Sequence, residues 1–333
     1  MAAALFRRVV EGGDPEKENA AIPRPAPAAL IYAPALVDRA LWASLTRLER
    51  RFVEALREWH ALAPARAREV VRRVPVSLRG LAWRQITGSL ALERPNRARY
   101  AAYAAAAATA CDADIAKDVR RTRPGSSAAA QAALERLMRA YAAMRPDVGY
   151  CQGMSYVLAL CLDVAGGENE AFWLFAQLVD NHALRGFWQD GLPLVQLALY
   201  ALDRLVGVRY PALFSHMKEL GVTPLLYASA WFSSLFAYNF PPALTARIWD
   251  VFLVEGITYL LRVALAIVAL YHDRLLPLGF DALINTLKHA PAELDTERVV
   301  RTADDMTFVT AALVCQLKDE FNSPAMANER RYF

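Results

Sequence analysis

The stretch "GMSYVLALCLDVA", Gly153–Ala165, decides the fold. Apolar residues occupy nearly every side of a helical wheel drawn through it. A helix that is hydrophobic all round has no face for water, so it belongs in the middle of a bundle of other helices. The neighbouring segments supply that bundle. "AAAQAALERLMRAYAAM", residues 128–144, is amphipathic, with Leu134, Leu137, Met138 and Tyr141 on one face. On the C-terminal side, "ENEAFWLFAQLVD", "LPLVQLALYALDRLV", "YPALFSHMKELGV", "TPLLYASAWFSSLFAYNF", "PPALTARIWDVFLVEG" and "YLLRVALAIVALYHDRLL" all read as helices. Pro211 and Pro224 fit first helical positions, Thr223 fits an N-cap, and Gly221 fits a helix end.

The N-terminal half reads the same way. From Val37 to about Val74, Leu41, Leu45, Leu48, Phe52, Leu56 and Trp59 recur at three- and four-residue steps, predicting a helical face. "RVPVSLRGLAW" breaks that helix at Pro75 and restarts it near Ser77. "ARYAAYAAAAATACDADI" predicts one alanine-rich helix, because alanine is the best helix former. "RTRPGSS" is a loop. Period-two alternation, hairpin turn pairs and fixed-period repeats are missing, which disfavours Rossmann-like and other α/β folds. The predicted fold is therefore all-α: one large domain of many short helices. The first 37 residues stand apart. "AAIPRPAPAALIYAPAL" suits an extended, polyproline-like tail, and its proline spacing would suit an SH3-type partner. The plainer reading is a tail with no dedicated partner.

The 333 residues are 56% hydrophobic, enough for a sizeable core, and the mean hydropathy is +0.17. With 38 basic and 34 acidic residues interspersed, a formal charge of +4 gives no nucleic-acid signal. Cys111, Cys151, Cys161 and Cys315 form no C-x-x-C pair, so neither a zinc nor a redox motif is present. The N-terminus meets acidic residues too early for a signal peptide and lacks a myristoylation glycine. Apolar runs such as "YLLRVALAIVALY" fall short of the ~20 residues that span a bilayer. A soluble, cytosolic protein with reduced thiols is expected.

Familiar catalytic patterns are missing. There is no phosphate-binding P-loop, no H-E-x-x-H and no G-x-S-x-G. His60, His182, His216, His272 and His289 share no metal-ligand spacing. Three polar clusters remain. In "SLRGLAW", Arg79 precedes Trp83 by four residues, about one helical turn. In "IAKDVRRTRPG", Ile115, Asp118 and Arg121 are spaced by three and line one side of a helix. In "DVGYCQGMSY", Asp147–Tyr156, Tyr150 and Gln152 stand at the mouth of the buried helix. Each has a plain explanation. Arg120, Arg121 and Arg123 would suit a solvated basic helix end. Gln152 would satisfy free N–H groups at a helix start. Tyr150 would be core packing, and Trp83 and Trp249 would be core anchors. Together, an arginine and a glutamine on adjacent loops point instead to assisted phosphoryl transfer. Arginine stabilises charge on the transferring phosphate, and a side-chain amide orients water.

At these residues the chain resembles the TBC-domain GTPase-activating proteins for Rab GTPases. The blocks "RVPVSLRGLAWRQITG", "IAKDVRRT", "GYCQGMSYVLALCL", "NEAFWLFAQLV" and "RIWDVFLVEG" occur in that family's order, and the resemblance spans about residues 70–290. It implies that Arg121 is an arginine finger and Gln152 a glutamine finger, both inserted into a partner's active site. It implies that Asp118 and Arg79 form a supporting ion pair and that Tyr150 seats the glutamine. Trp83, Thr122 and Gly153 hold supporting places in the same motifs. Arg120 is the decoy, since only Arg121 falls three residues after Asp118. The implied partner is a GTP-bound Rab-family GTPase, which itself holds GTP and Mg²⁺. The chain would need no cofactor, no metal and no catalytic activity of its own. Any approach to endomembranes would come through the Rab, in the service of vesicle trafficking.

The expected organisation is a tail (1–37), a helical extension (38–70), the Rab-GAP TBC domain (71–290) and a C-terminal helical extension (291–333). Two departures from the family pattern stand out. Arg123 replaces the usual aromatic residue, which leaves either altered packing of the finger loop or an extra charge facing the partner. Ala230 stands where a proline is frequent. The competing readings are a TBC module that binds a GTPase without accelerating hydrolysis, and an unrelated helical scaffold.

Overall fold

The computed structural model describes residues 36–37, 39–106, 109–181 and 184–326. The Pro/Ala-rich tail up to residue 35 and His182 lie outside them. Among the described residues there are eighteen α-helices and no strand, and the chain divides into two compact units after Arg185.

The first unit carries α1 (Arg39–Ser44), α2 (Arg47–Arg57), α3 (Pro64–Val71), α4 (Arg79–Thr87), α5 (Leu90–Glu93) and α6 (Arg97–Ala104). It continues with α7 (Asp112–Thr122), α8 (Ala128–Met144), α9 (Met154–Ala165) and α10 (Glu168–Asn181). The stretch that decides the fold is α9, and it sits at the centre. It packs against α4, α7, α8 and α10, and Met154, Val157, Leu158 and Cys161 are fully buried. Each such side chain contributes about 1.5–3 kcal/mol relative to exposure. The predicted face of α8 is the buried one: Leu134, Leu137, Met138 and Tyr141 are all at 0% exposure.

Two expectations in this unit need correction. The helix expected from Val37 to Val74 is three α-helices and a 3₁₀ turn. Thr46 and Glu49 form a reciprocal capping box that starts α2 afresh, and Pro64 opens α3. The break takes Leu41 and Leu48 off the buried face; they are 43% and 75% exposed. The alanine-rich helix also divides. α6 ends at Ala104, and α7 starts at Asp112, whose carboxylate accepts from the Thr109 hydroxyl at 2.6 Å. Alanine propensity gives no apolar face to hold a long helix against a core, and the Thr109–Asp112 turn marks where the new helix begins.

The second unit carries α11 (Pro193–Arg209), α12 (Pro211–Glu219), α13 (Pro224–Ser233), α14 (Pro242–Glu255), α15 (Ile257–Leu275), α16 (Phe280–Glu293), α17 (Thr296–Asp305) and α18 (Ala311–Asn322). Proline opens four of these helices, at the position where its missing N–H costs nothing. Thr223 takes the N-cap position of α13, but its hydroxyl makes no capping bond. α15 is the centre: it packs against α11, α13, α14, α16 and α17. Its Arg262 donates to the Val309 carbonyl and pairs with Glu255. Trp249 is fully buried and donates its indole N–H to the Leu235 carbonyl at 2.8 Å. No helix among the described residues is long and apolar enough to cross a membrane.

Candidate functional site

The site is built on α7 and on the loop that leads into α9. Asp112 and Asp114 lie in the first turn of α7 and Arg120 and Arg121 in its last, each complementing the helix dipole. Ile115 and Val119 anchor the helix, at 0% and 2% exposure. Arg139 of α8 pairs with Asp112 at 3.0 Å, holding the start of α7. Arg121, two turns on from Asp114, is left outside. Its side chain is 70% exposed and touches Asp118 at 3.5 Å. Only the arginine of this i,i+3 pair is exposed, and at 3.5 Å the contact is a loose one.

Asp118 is held from its other side. Its side chain is only 13% exposed, and Oδ2 accepts the Tyr150 hydroxyl at 2.6 Å. Burial pushes the Tyr150 phenol upward, and its bond to Asp118 adds to that, so it remains a donor at any physiological pH. The fully buried Ser155 hydroxyl also bonds Tyr150. Thr122 Oγ1 lies 2.7 Å from the Ser155 hydroxyl and 2.8 Å from the Asp118 carbonyl. Asp118, Thr122, Tyr150 and Ser155 thus form one closed polar cluster, in which the end of α7 is bonded to the start of α9.

Gln152 stands just outside that cluster, exposed to solvent. The N-cap of α9 is Gly153, and no side chain caps the helix. Gln152 therefore does not serve the helix start, and its amide makes no hydrogen bond among the described residues. Gly149 and Gly153 have φ of +61° and +103°, conformations in which a side chain at the same position would be strained. The turn before them is held by charge. Arg145 is 2% exposed. It bonds Asp147 at 2.7 Å and Asp180 of α10 at 2.6 Å, and Arg185 pairs with Asp147 as well. Burial pushes the Asp180 carboxyl up, to about 7, against the opposite pull of Arg145.

The sequence-predicted residues are distributed as follows. Thr122 and Tyr150 each bond Asp118, Arg121 rests on Asp118, and Gln152 and Gly153 follow Tyr150 on the same loop. Arg79 is buried at the start of α4 and Trp83 is fully buried within it. The Asp118 contacts described above are with Arg121 and Tyr150, and the pairing with Arg79 stays a proposal. Sequence reading missed Ser155, Arg145 and Asp180. Of these only Ser155 had a signal, as a lone hydroxyl in an apolar run. Arg123 is not an outward charge: it is 19% exposed and turns inward to Asp163 of α9. Among the described residues no group of three His, Cys, Asp or Glu has the arrangement of a metal site.

A family model of the Rab-GTPase-TBC domain matches residues 76–276, more than half of the chain. The GTPase-activating protein GYP5 of Eremothecium gossypii is 36% identical over 217 residues, covering 65% of this chain and 26% of that protein. Its namesake in Saccharomyces cerevisiae is 32% identical over 244 residues, covering 73% and 26%. The chain thus spans about a quarter of the length of these curated relatives. The Chlamydomonas flagellar RabGAP TBC domain superposes with a TM-score of 0.63 at 30% identity, covering 72% of this chain and 83% of that one. The Ypt/Rab-GAP domain of Gyp1p gives 0.65 at 16% identity, covering 80% and 99%, a likeness of fold.

Proposed function

This chain belongs to the Rab-GTPase-TBC domain family, and from that premise we propose that it accelerates GTP hydrolysis by a Rab-family small GTPase. It does so by lending two side chains. Arg121 reaches the γ-phosphate and offsets the charge that develops there, an effect of roughly 10³- to 10⁵-fold in rate. Gln152 orients the attacking water in place of the GTPase's own glutamine. GTP and Mg²⁺ belong to the partner, and the chain does no chemistry without it. Asp118, Tyr150, Thr122 and Ser155 act behind the fingers. They fix where the finger helix ends relative to the glutamine loop, because a misplacement of about 1 Å is enough to cost 10²-fold. Arg79 pairs with Asp118 from the core, and Trp83 packs beneath it. The chain works in the cytoplasm and meets endomembranes through the Rab, regulating vesicle traffic.

One observation carries this reading. The exposed arginine and the exposed glutamine stand on two elements joined by a bonded polar cluster, while the arginine makes only a loose surface pair and the glutamine caps no helix. The test is single-turnover hydrolysis of GTP preloaded on a panel of Rab GTPases, with and without the chain. Acceleration of at least one Rab is expected. Binding to GTP-loaded Rabs with no acceleration of any would reduce the protein to a scaffold.

A further inference from the structure

Arg123 ends the finger helix. Its backbone N–H donates to the Val119 carbonyl at 3.3 Å, and its own carbonyl accepts from Ser126 Oγ at 2.9 Å. Its side chain lies along α9 and is mostly covered. Nη2 donates to the Ala159 carbonyl at 2.7 Å and pairs with Asp163 at 2.5 Å. The residue before it, Thr122, is bonded to Ser155. Ser155, Ala159 and Asp163 are spaced by four, so they form one stripe along α9. Two consecutive residues after the arginine finger are therefore fastened to successive turns of the helix that begins beside Gln152.

From this geometry we infer that Arg123 is a positioning residue: its guanidinium clamps the end of the finger helix onto the helix that carries the glutamine loop, and so fixes the distance between Arg121 and Gln152. The inference rests on the two-finger reading for its consequence, though not for the clamp itself. Ile115, Val119 and the Arg139–Asp112 pair hold the body of α7, and the two bonds hold its C-terminal end. The Thr122 hydroxyl pins one point, and the Arg123 fork adds a second about a turn further along α9. A guanidinium neutralised by Asp163 in this way adds little net charge toward the partner. It acts on the rate once the partner is bound.

The experiment uses the full chain and two variants. Arg123→Met keeps the aliphatic stem and loses the donors. Asp163→Asn changes the partner on a side chain that is 60% exposed, where folding is little at stake. Amide hydrogen exchange is read on the free protein first. Residues 119–126 are expected to exchange about tenfold faster in Arg123→Met, with a smaller increase in Asp163→Asn and no change in α15. Unchanged exchange there overturns the clamp, whatever any GTPase does. Single-turnover hydrolysis is then measured against chain concentration for a responsive Rab. The saturating rate is expected to fall about tenfold in Arg123→Met, with the half-saturating concentration within about twofold of native. In an Arg121→Ala background, Arg123→Met is expected to cost nothing further, because it acts through the finger. A raised half-saturating concentration with an unchanged saturating rate makes Arg123 a partner contact and overturns the positioning role. Faster exchange with no Rab accelerated by the native chain sinks the GTPase reading and leaves the clamp standing.

Discussion

Arg121 and Tyr150 illustrate opposite relations between a side chain and the fold. Arg121 is exposed and its one described contact is weak, so Arg121→Ala is expected to change stability by less than about 0.5 kcal/mol while abolishing most of the acceleration. Thermal melting beside single-turnover hydrolysis checks both halves. Tyr150 donates to a mostly buried carboxylate. Tyr150→Phe is expected to cost about 1–3 kcal/mol in urea unfolding and to lower the accelerated rate as well. An unchanged unfolding midpoint would remove Tyr150 from the support of Asp118. The sequence made Arg121, Asp118, Tyr150 and Gln152 visible because they fall in short ordered blocks. Ser155, Arg145 and Asp180 were not visible. The bonds of Ser155 to Thr122 and of Arg145 to Asp180 join residues 33 and 35 apart, and pairing across that separation leaves no periodic trace in one sequence.

Helices were legible where an apolar face and a punctuating residue agreed. α8 and α9 follow from their hydrophobic patterns, and α12 and α13 from the prolines that open them. The errors came where one signal stood alone. Alanine content suggested a single helix where Thr109 and Asp112 start a new one, and leucine spacing ran through a capping box at Thr46. The turn that presents Gln152 shows why such local devices matter. It is held at Arg145, whose side chain is 3% exposed and faces a fully buried Asp180. Asp180→Ala leaves that guanidinium with Asp147 alone and is expected to destabilise by about 3–5 kcal/mol, read by urea unfolding. A loss below about 1 kcal/mol would show that Asp147 and Arg185 hold the turn without it.

At the scale of the molecule, the sequence conveyed the all-α class and the absence of strands among the described residues, since one helical style runs from α4 to α18. It did not convey the division into two compact units after Arg185. That point lies inside "ALRGFWQDG", with no proline- or serine-rich linker to mark it, and only packing between distant residues defines it. Every residue assigned to the site belongs to the first unit. The second is dominated by apolar burial: Trp249→Ala there is expected to cost about 3–5 kcal/mol in urea unfolding. A cost below about 1 kcal/mol would mean that the indole is not the anchor its burial indicates.

In the proposed function, two exposed side chains complete another protein's active site. The most direct measurement is the single-turnover rate of GTP hydrolysis by a responsive Rab at saturating native, Arg121→Ala and Gln152→Ala chain. Strong acceleration by the native chain is expected, with a loss of about 10³-fold or more for Arg121→Ala, a loss of about 10²-fold for Gln152→Ala, and native melting for both. Acceleration that survives either substitution undiminished would contradict the proposed function.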